Sequence, residues 1–366
     1  MKLQLYIARK FLLSLAMVLG VFVVFTMLLD MVEQIRRFGS DTISLSQALG
    51  LAALNTPANI YEILPLIVLL ATLVLYMSLA RTSELVVTRA AGRSAVRSLL
   101  SPLVSVLLVG AICVGVLNPL VAATSKELET LSNRYSRGIS SVLSINADGL
   151  WLRQGDEDGQ TVIKAARSNL DGTVLFDVTF IGFAADQGPT YRIEAIRAEL
   201  TDGAWDLTDA KRWDLSAPVQ NPERTAEVSA TLSVPSDLTR DHIRDSFGAP
   251  ASIPFWDLPA FIDSLERAGF SARHHRVWWH MELALPAFFA AMVLIAAGFT
   301  MRHTRFGKTG TMVMAALGVG LSLFFLRNFA QILGNNGQIP AELAAWSPPL
   351  IGIMMSLGLV LHLEDG

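Results

Sequence analysis

Four clusters carry the side chains for chemistry. Gly307 to Gly310 reads GKTG, like the end of a phosphate loop, but the earlier glycine that motif requires is Arg302. A short link between two apolar stretches also offers no strand-loop-helix cradle for a nucleotide. His274, His275 and His280 are close enough in sequence to suggest metal ligation, yet Arg273, Arg276, Trp278 and Trp279 stand among them. That mixture suits an anchor at a membrane interface better than a metal site. Arg36 and Arg37 present two planar guanidinium forks, suited to bidentate bonds with phosphate or to snorkelling toward lipid headgroups. The segment RTSELVVTRAAGRSAVR, Arg81 to Arg97, sets one acid among arginines, with Ser83 placed to cap a helix through Glu84, Leu85, Val86, Val87, Arg89 and Ala90 that stops near Gly92. It reads either as a short docking helix or as a plain basic loop. With no HExxH and a single cysteine, Cys113, the sequence predicts no catalytic residue, no metal site and no cofactor.

The elements that position these residues follow from composition. The 366 residues are 52% hydrophobic and 17% charged, with a mean hydropathy of +0.45. That is the composition of a membrane protein, and it excludes a cytosolic enzyme, a disulfide scaffold and a basic nucleic-acid binder. Charge is concentrated in residues 139–276, which hold 13 Lys/Arg and 21 Asp/Glu. A soluble acidic domain is therefore inserted into an apolar, mildly basic frame.

Stretches free of Asp, Glu, Lys and Arg predict six spans: Phe11 to Leu29, Ile63 to Ala80, Ser98 to Ser125, Leu283 to Met301, Thr309 to Leu326 and Leu343 to Leu361. Lys2, Arg9 and Lys10, then Arg81, Arg89, Arg93 and Arg97, then Arg302, Arg305 and Lys308 crowd the links on one side. The positive-inside rule places that side, and both termini, in the cytoplasm, and puts the inserted domain outside. Within that domain, runs such as GLWLR, TVLFDVTFIGF and TYRIEAIRAEL alternate with period two, which predicts about ten antiparallel strands in a sandwich or jelly roll. On TVLFDVTFIGF the alternation sets Phe176, Val178 and Phe180 on one side of the pleat. WDLPAFIDSLERAGF then reads as an amphipathic helix lying at the membrane surface. The expected divisions are 1–135 for three spans with the short inner helix at about 82–92, 136–250 for the β-domain, 251–276 for the amphipathic helix and linker, and 277–366 for three more spans. The fold class is an α-helical membrane protein, 3 + 3 spans, with an inserted antiparallel β-jelly-roll.

SELVVTRAAG after the second span, MVEQIRRFG at the outer end of the first, GLWLR opening the outer domain and the 3 + 3 frame together resemble the LptF/LptG family of lipopolysaccharide export permeases, most closely its LptG type. The resemblance covers essentially the whole chain, and SELVVTRAAG is its most specific element. It implies a non-catalytic inner-membrane subunit paired with the paralogue LptF, driven by an LptB ATPase dimer and regulated by the single-span LptC. Such a complex extracts lipopolysaccharide and passes it along a periplasmic β-jelly-roll bridge toward the outer membrane. Under that resemblance Arg36 and Arg37 face the substrate headgroup, and Phe22, Phe25, Leu28, Asp30, Phe324, Phe325 and Arg327 line the cavity. Ser83, Glu84, Leu85, Val87 and Arg89 couple to the ATPase, and Phe176, Val178 and Phe180 line the acyl route. Asp30 departs from the family pattern, which carries a basic residue on this part of the helix; either the binding geometry differs or the substrate is less phosphorylated. Asp30 and Arg327, both near outer ends of spans, are candidates for an ion pair. The competing readings are an envelope-anchored structural or assembly protein, for which six spans are excessive, and an ATP-driven permease for another lipid or for lipoproteins.

Overall fold

The computed structural model describes residues 2–38, 44–84, 95–135, 143–146, 149–155, 159–169, 172–184, 188–201, 203–216, 221–236, 238–239, 249–267, 269–301 and 309–365. They form two compact units, one of residues 1–135, 254–256 and 273–366, the other of residues 136–253 and 257–272.

The first unit holds six helical spans long and apolar enough to cross a membrane. They are α1 (Lys2–Phe38), α2 (Leu45–Arg81), α3 (Ala95–Ile112) continued by a π-helical turn (Cys113–Leu117) and α4 (Asn118–Tyr135), then, after the second unit, α6 (Arg273–Thr300), α7 (Thr309–Asn335) and α8 (Ala341–Asp365). Three helices start well before the charge-free stretches that announce them: α1 at Lys2, α2 at Leu45 and α6 at Arg273. A capping box fixes the start of α2, because Ser44 accepts from the Gln47 amide while the Gln47 side chain accepts from the Ser44 amide. The fourth span, α6, is the hub, with Phe288, Phe289, Val293 and Ala297 buried. Gly110 lets α3 approach it so closely that a Cβ there would stand 2.7 Å from the Pro286 Cα. The apolar window of α6 is 78% buried, against 17% for α1 and 22% for α7, so the first and fifth spans leave most of their apolar surface uncovered.

The second unit carries seven antiparallel strands that follow one another across a single sheet in chain order. They are β1 (Leu143–Asn146), β2 (Gly149–Gly155), β3 (Gly159–Ser168), β4 (Val174–Ala184), β5 (Pro189–Thr201), β6 (Ala204–Asp214) and β7 (Glu227–Pro235). An antiparallel β-domain between the third and fourth spans is what the sequence predicts, with seven described strands in place of about ten. The amphipathic helix α5 (Leu258–Arg267) belongs to this unit, and its apolar residues Leu258, Ile262 and Leu265 are buried. Its apolar stripe is thus covered by protein, whereas the sequence suggested a helix resting on lipid. Gly269, at φ +90, follows it and passes so close to the Ser168 carbonyl of β3 that a side chain would collide.

The sheet does not alternate evenly. Buried residues run Ile163, Ala165, then Ser168 on β3; Leu175, then Val178 and Phe180 on β4; Ile193, Ala195, then Ala198 on β5; Trp205, Leu207, then Ala210 on β6. Each strand therefore spends two consecutive residues on the outer side at the same level. Asp177 and Asp209 sit on that line in the left-handed region, both at φ 53, and drop out of the strand pairing. The result is a crease crossing four strands that keeps one face inward on both sides of the fold line. It also corrects the expectation for Phe176, which stands half-buried in a row with the exposed Arg167, Arg197 and Thr208, under the Arg167 guanidinium 5.7 Å from its ring. Leu175 takes the inward place.

Candidate functional site

Candidate residues gather at the two ends of the bundle. At the end nearer the inserted domain in sequence, Arg36 and Arg37 are both exposed in the last turn of α1, where a cation also complements the helix dipole. Arg36 pairs with Glu33 one turn back at 3.0 Å, an exposed pair that stabilises little, and Arg37 lies 5.4 Å from the Phe38 ring. Asp30 does not pair with Arg327. Its carboxylate accepts from the side-chain amides of Asn55 at 3.1 Å and Asn59 at 2.7 Å, two α2 residues one turn apart. An acid beside the arginines is thus already engaged, which reduces its reach toward a phosphate. Arg327 stacks over the Phe288 ring at 5.4 Å. Of the apolar candidates, Phe22 and Phe324 pack into the bundle core, whereas Phe25, Leu28 and Phe325 are exposed on the uncovered faces of α1 and α7.

These contacts predict a stability effect. Asp30→Leu removes two charge-assisted bonds between α1 and α2, and we expect it to destabilise the purified protein by about 2 kcal/mol. Asp30→Asn, which keeps an acceptor oxygen, should cost less. Thermal unfolding in detergent measures both, and an unchanged midpoint for Asp30→Leu would show that the asparagines contribute nothing.

A second polar group at this end was not anticipated. The Tyr61 hydroxyl of α2 donates to Glu282 of α6, which is 1% exposed, and the buried Asn118 side chain lies beside both. Asn118 in turn accepts from the Phe255 backbone amide at 2.8 Å, and the Trp256 indole donates to the Gly115 carbonyl in the π-turn at 3.1 Å. The only sequence signal was Glu282 itself, an acid directly against an apolar stretch. Nearby, His280 faces Glu342 at 3.4 Å, and His275 is buried.

At the opposite end, Ser83 turns the chain out of α2 with a left-handed backbone at φ 59. The helix it is expected to cap lies, beyond Glu84, outside the described residues. Glu84 accepts from Lys10 of α1 at 2.9 Å and from the Thr82 hydroxyl at 2.8 Å, beside a small pocket lined by Tyr6, Ile7, Tyr76 and Ser98. Burial opposes ionisation of Glu84, but the bonds from Lys10 and Thr82 outweigh it and hold the carboxyl below its ordinary value of 4.5. The contact is accordingly present above that value and lost only as pH falls through the lower folded one. Leu85, Val87 and Arg89 lie outside the described residues.

In the inserted domain Val178 and Phe180 are fully buried, and Phe180 meets Trp205 edge to face at 6.3 Å. Ile193 and Leu207 complete an apolar inner face. Exposed charge sits on the other side, in pairs such as Arg197 with Glu199 at 2.8 Å.

The model of the family described as lipopolysaccharide export system permease LptF/LptG matches residues 5–362. The chain belongs to that family. Among named relatives, it is similar to the lipopolysaccharide export system permease protein LptG of Haemophilus influenzae, with 24% identity over 98% of each chain. It is also 22% identical to the LptG of Escherichia coli K12, over 96% of this chain and 93% of that one. As a member of the LptF/LptG family with six apolar spans, it is a multi-pass inner-membrane protein and a component of a transporter. The near-complete coverage means that the family match includes the β-domain as well as the spans.

Proposed function

We propose that this chain is the LptG-type half of a lipopolysaccharide permease, paired with an LptF-like partner and driven by a separate cytoplasmic ATPase dimer of the LptB kind, with the single-span LptC as regulator. The observation that carries this reading is the unequal burial of the spans: α1 and α7 keep apolar faces uncovered, as a half-permease does where it meets a partner and a lipid between them. The termini are cytoplasmic and the β-domain periplasmic, in keeping with the basic residues of the short links. The sequence suggests divisions at 1–135, 136–250, 251–276 and 277–366; the last falls inside α6, so the closing spans are taken from Arg273.

Arg36 and Arg37 take the phosphorylated headgroup. A phosphate competes with the single exposed carboxylate of Glu33 for Arg36 and offers a bidentate partner in its place. Phe25, Leu28 and Phe325 on the uncovered faces, with Phe22, Phe324 and Arg327 behind them, border the acyl chains. In the β-domain the creased inner face with Val178 and Phe180, fully buried here, opens along one edge to receive those chains. Glu84 and the segment through Arg89 engage the ATPase.

Replacing Arg36 and Arg37 together by glutamate tests this reading. Lipopolysaccharide co-purifying with the assembled complex should fall several-fold at low salt and less at high salt, because exposed charge contacts are screened beyond roughly 10 Å at 0.1 M. Unchanged co-purification would make the arginines anchors for ordinary lipid.

A further inference from the structure

The polar contacts around Glu282 join four segments far apart in sequence. Tyr61 comes from the second span, Asn118 from the third, Glu282 from the fourth, and Phe255 from the three residues, Pro254 to Trp256, that belong to the bundle unit although the chain before and after them belongs to the β-domain unit. A carboxylate that is 1% exposed is expensive to keep unless its bonds accomplish something. Here they surround an amide: Asn118, beside both Tyr61 and Glu282, presents its oxygen to the Phe255 N–H. The docking surface is itself irregular: it lies on the π-turn Cys113–Leu117, where Pro119, four residues after Gly115, has no N–H to give the Gly115 carbonyl, and the Trp256 indole donates to that carbonyl instead. Arg327 balances the charge at longer range.

We infer that Glu282 is a positioning residue for the hand-over of substrate from the bundle to the β-domain: through Asn118 it pins the chain at Pro254–Trp256 onto the π-turn of the third span. The inference rests on the permease reading. When the pin is in place, the returning chain starts from a fixed point on the bundle; when it is lost, the bundle still loads substrate but the β-domain receives less.

The test uses the whole complex in nanodiscs and two measurements. Hydrogen exchange reads the Phe255 amide, and a photo-crosslinking residue at Phe25 or at Val178 reads lipopolysaccharide on the bundle or on the β-domain in the presence of ATP. Glu282→Ala should raise Phe255 exchange at least about ten-fold and lower the ratio of β-domain to bundle adducts several-fold. Glu282→Gln, which keeps an acceptor for Tyr61 and Asn118, should restore both. Normal exchange and a normal ratio in an assembled Glu282→Ala complex overturn the inference, as does Gln proving as damaging as Ala. Should Glu282→Ala fail to assemble, Tyr61→Phe and Asn118→Ala carry the test, and unchanged Phe255 exchange in both overturns it. If the parent complex gives no adduct at either position, it is the permease reading that fails.

Discussion

Glu84→Lys should abolish most export while leaving the β-domain folded. The substitution sets a second cation where Lys10 now donates at 2.9 Å, and removes the acid proposed to meet a basic residue of the ATPase. A charge-assisted bond of this kind contributes about 1.5–3 kcal/mol, so export is expected to fall about ten-fold or more. The Lys10 contact makes a discriminating control available. The double exchange Lys10→Glu with Glu84→Lys restores the bond between α1 and the end of α2 but not an acid facing the ATPase. Export recovered by the double exchange would show that Glu84 acts only within this chain. Export that stays low, with the ATPase no longer co-purifying, would assign Glu84 to the contact between subunits. Wild-type export in the single variant would remove the segment from the mechanism.

Trp205→Ala should be the most destabilising single change in the inserted domain, by about 3–5 kcal/mol. The side chain is fully buried on β6 and meets Phe180 edge to face, so its removal leaves a cavity in the middle of the inner face. Trp205→Phe should cost less than half as much. Its ring keeps an aromatic edge near Phe180, and the indole N–H it removes has no hydrogen-bond partner among the described residues. Thermal unfolding followed by near-UV circular dichroism compares the two, and equal losses would mean that the N–H, not the volume, matters.

The architecture was largely legible because it is written in charge. Spans exclude ionised side chains and the links between them do not, so a search for uncharged stretches finds six helices and one insertion. The same search misplaces the start of α2, because Glu62 interrupts a helix that runs from Leu45 past Pro57 and Pro65. It also passes over Asn55 and Asn59, which have no charge and yet decide what Asp30 does. Partners remote in sequence were invisible for a different reason. Tyr61 and Glu282 are 221 residues apart, and nothing local to either names the other. Phe176 illustrates a third limit: strict alternation assigns its face by parity, and a left-handed residue at Asp177 resets the parity within the strand.

That reset has a mechanical side. Hydrogen bonds in a sheet run across the strands, hence along the crease that passes Asp177 and Asp209, and not over it. Widening or narrowing the angle at such a line rotates a few backbone dihedrals in one row and stretches none of the ladder bonds. The domain is therefore pliant about a single axis and stiff about the other, like a sheet of card scored once. A fold line of this kind lets the angle between the two halves of the sheet change without unzipping a strand, and the residues that set its spring are two aspartates on the exposed face, opposite the packed one.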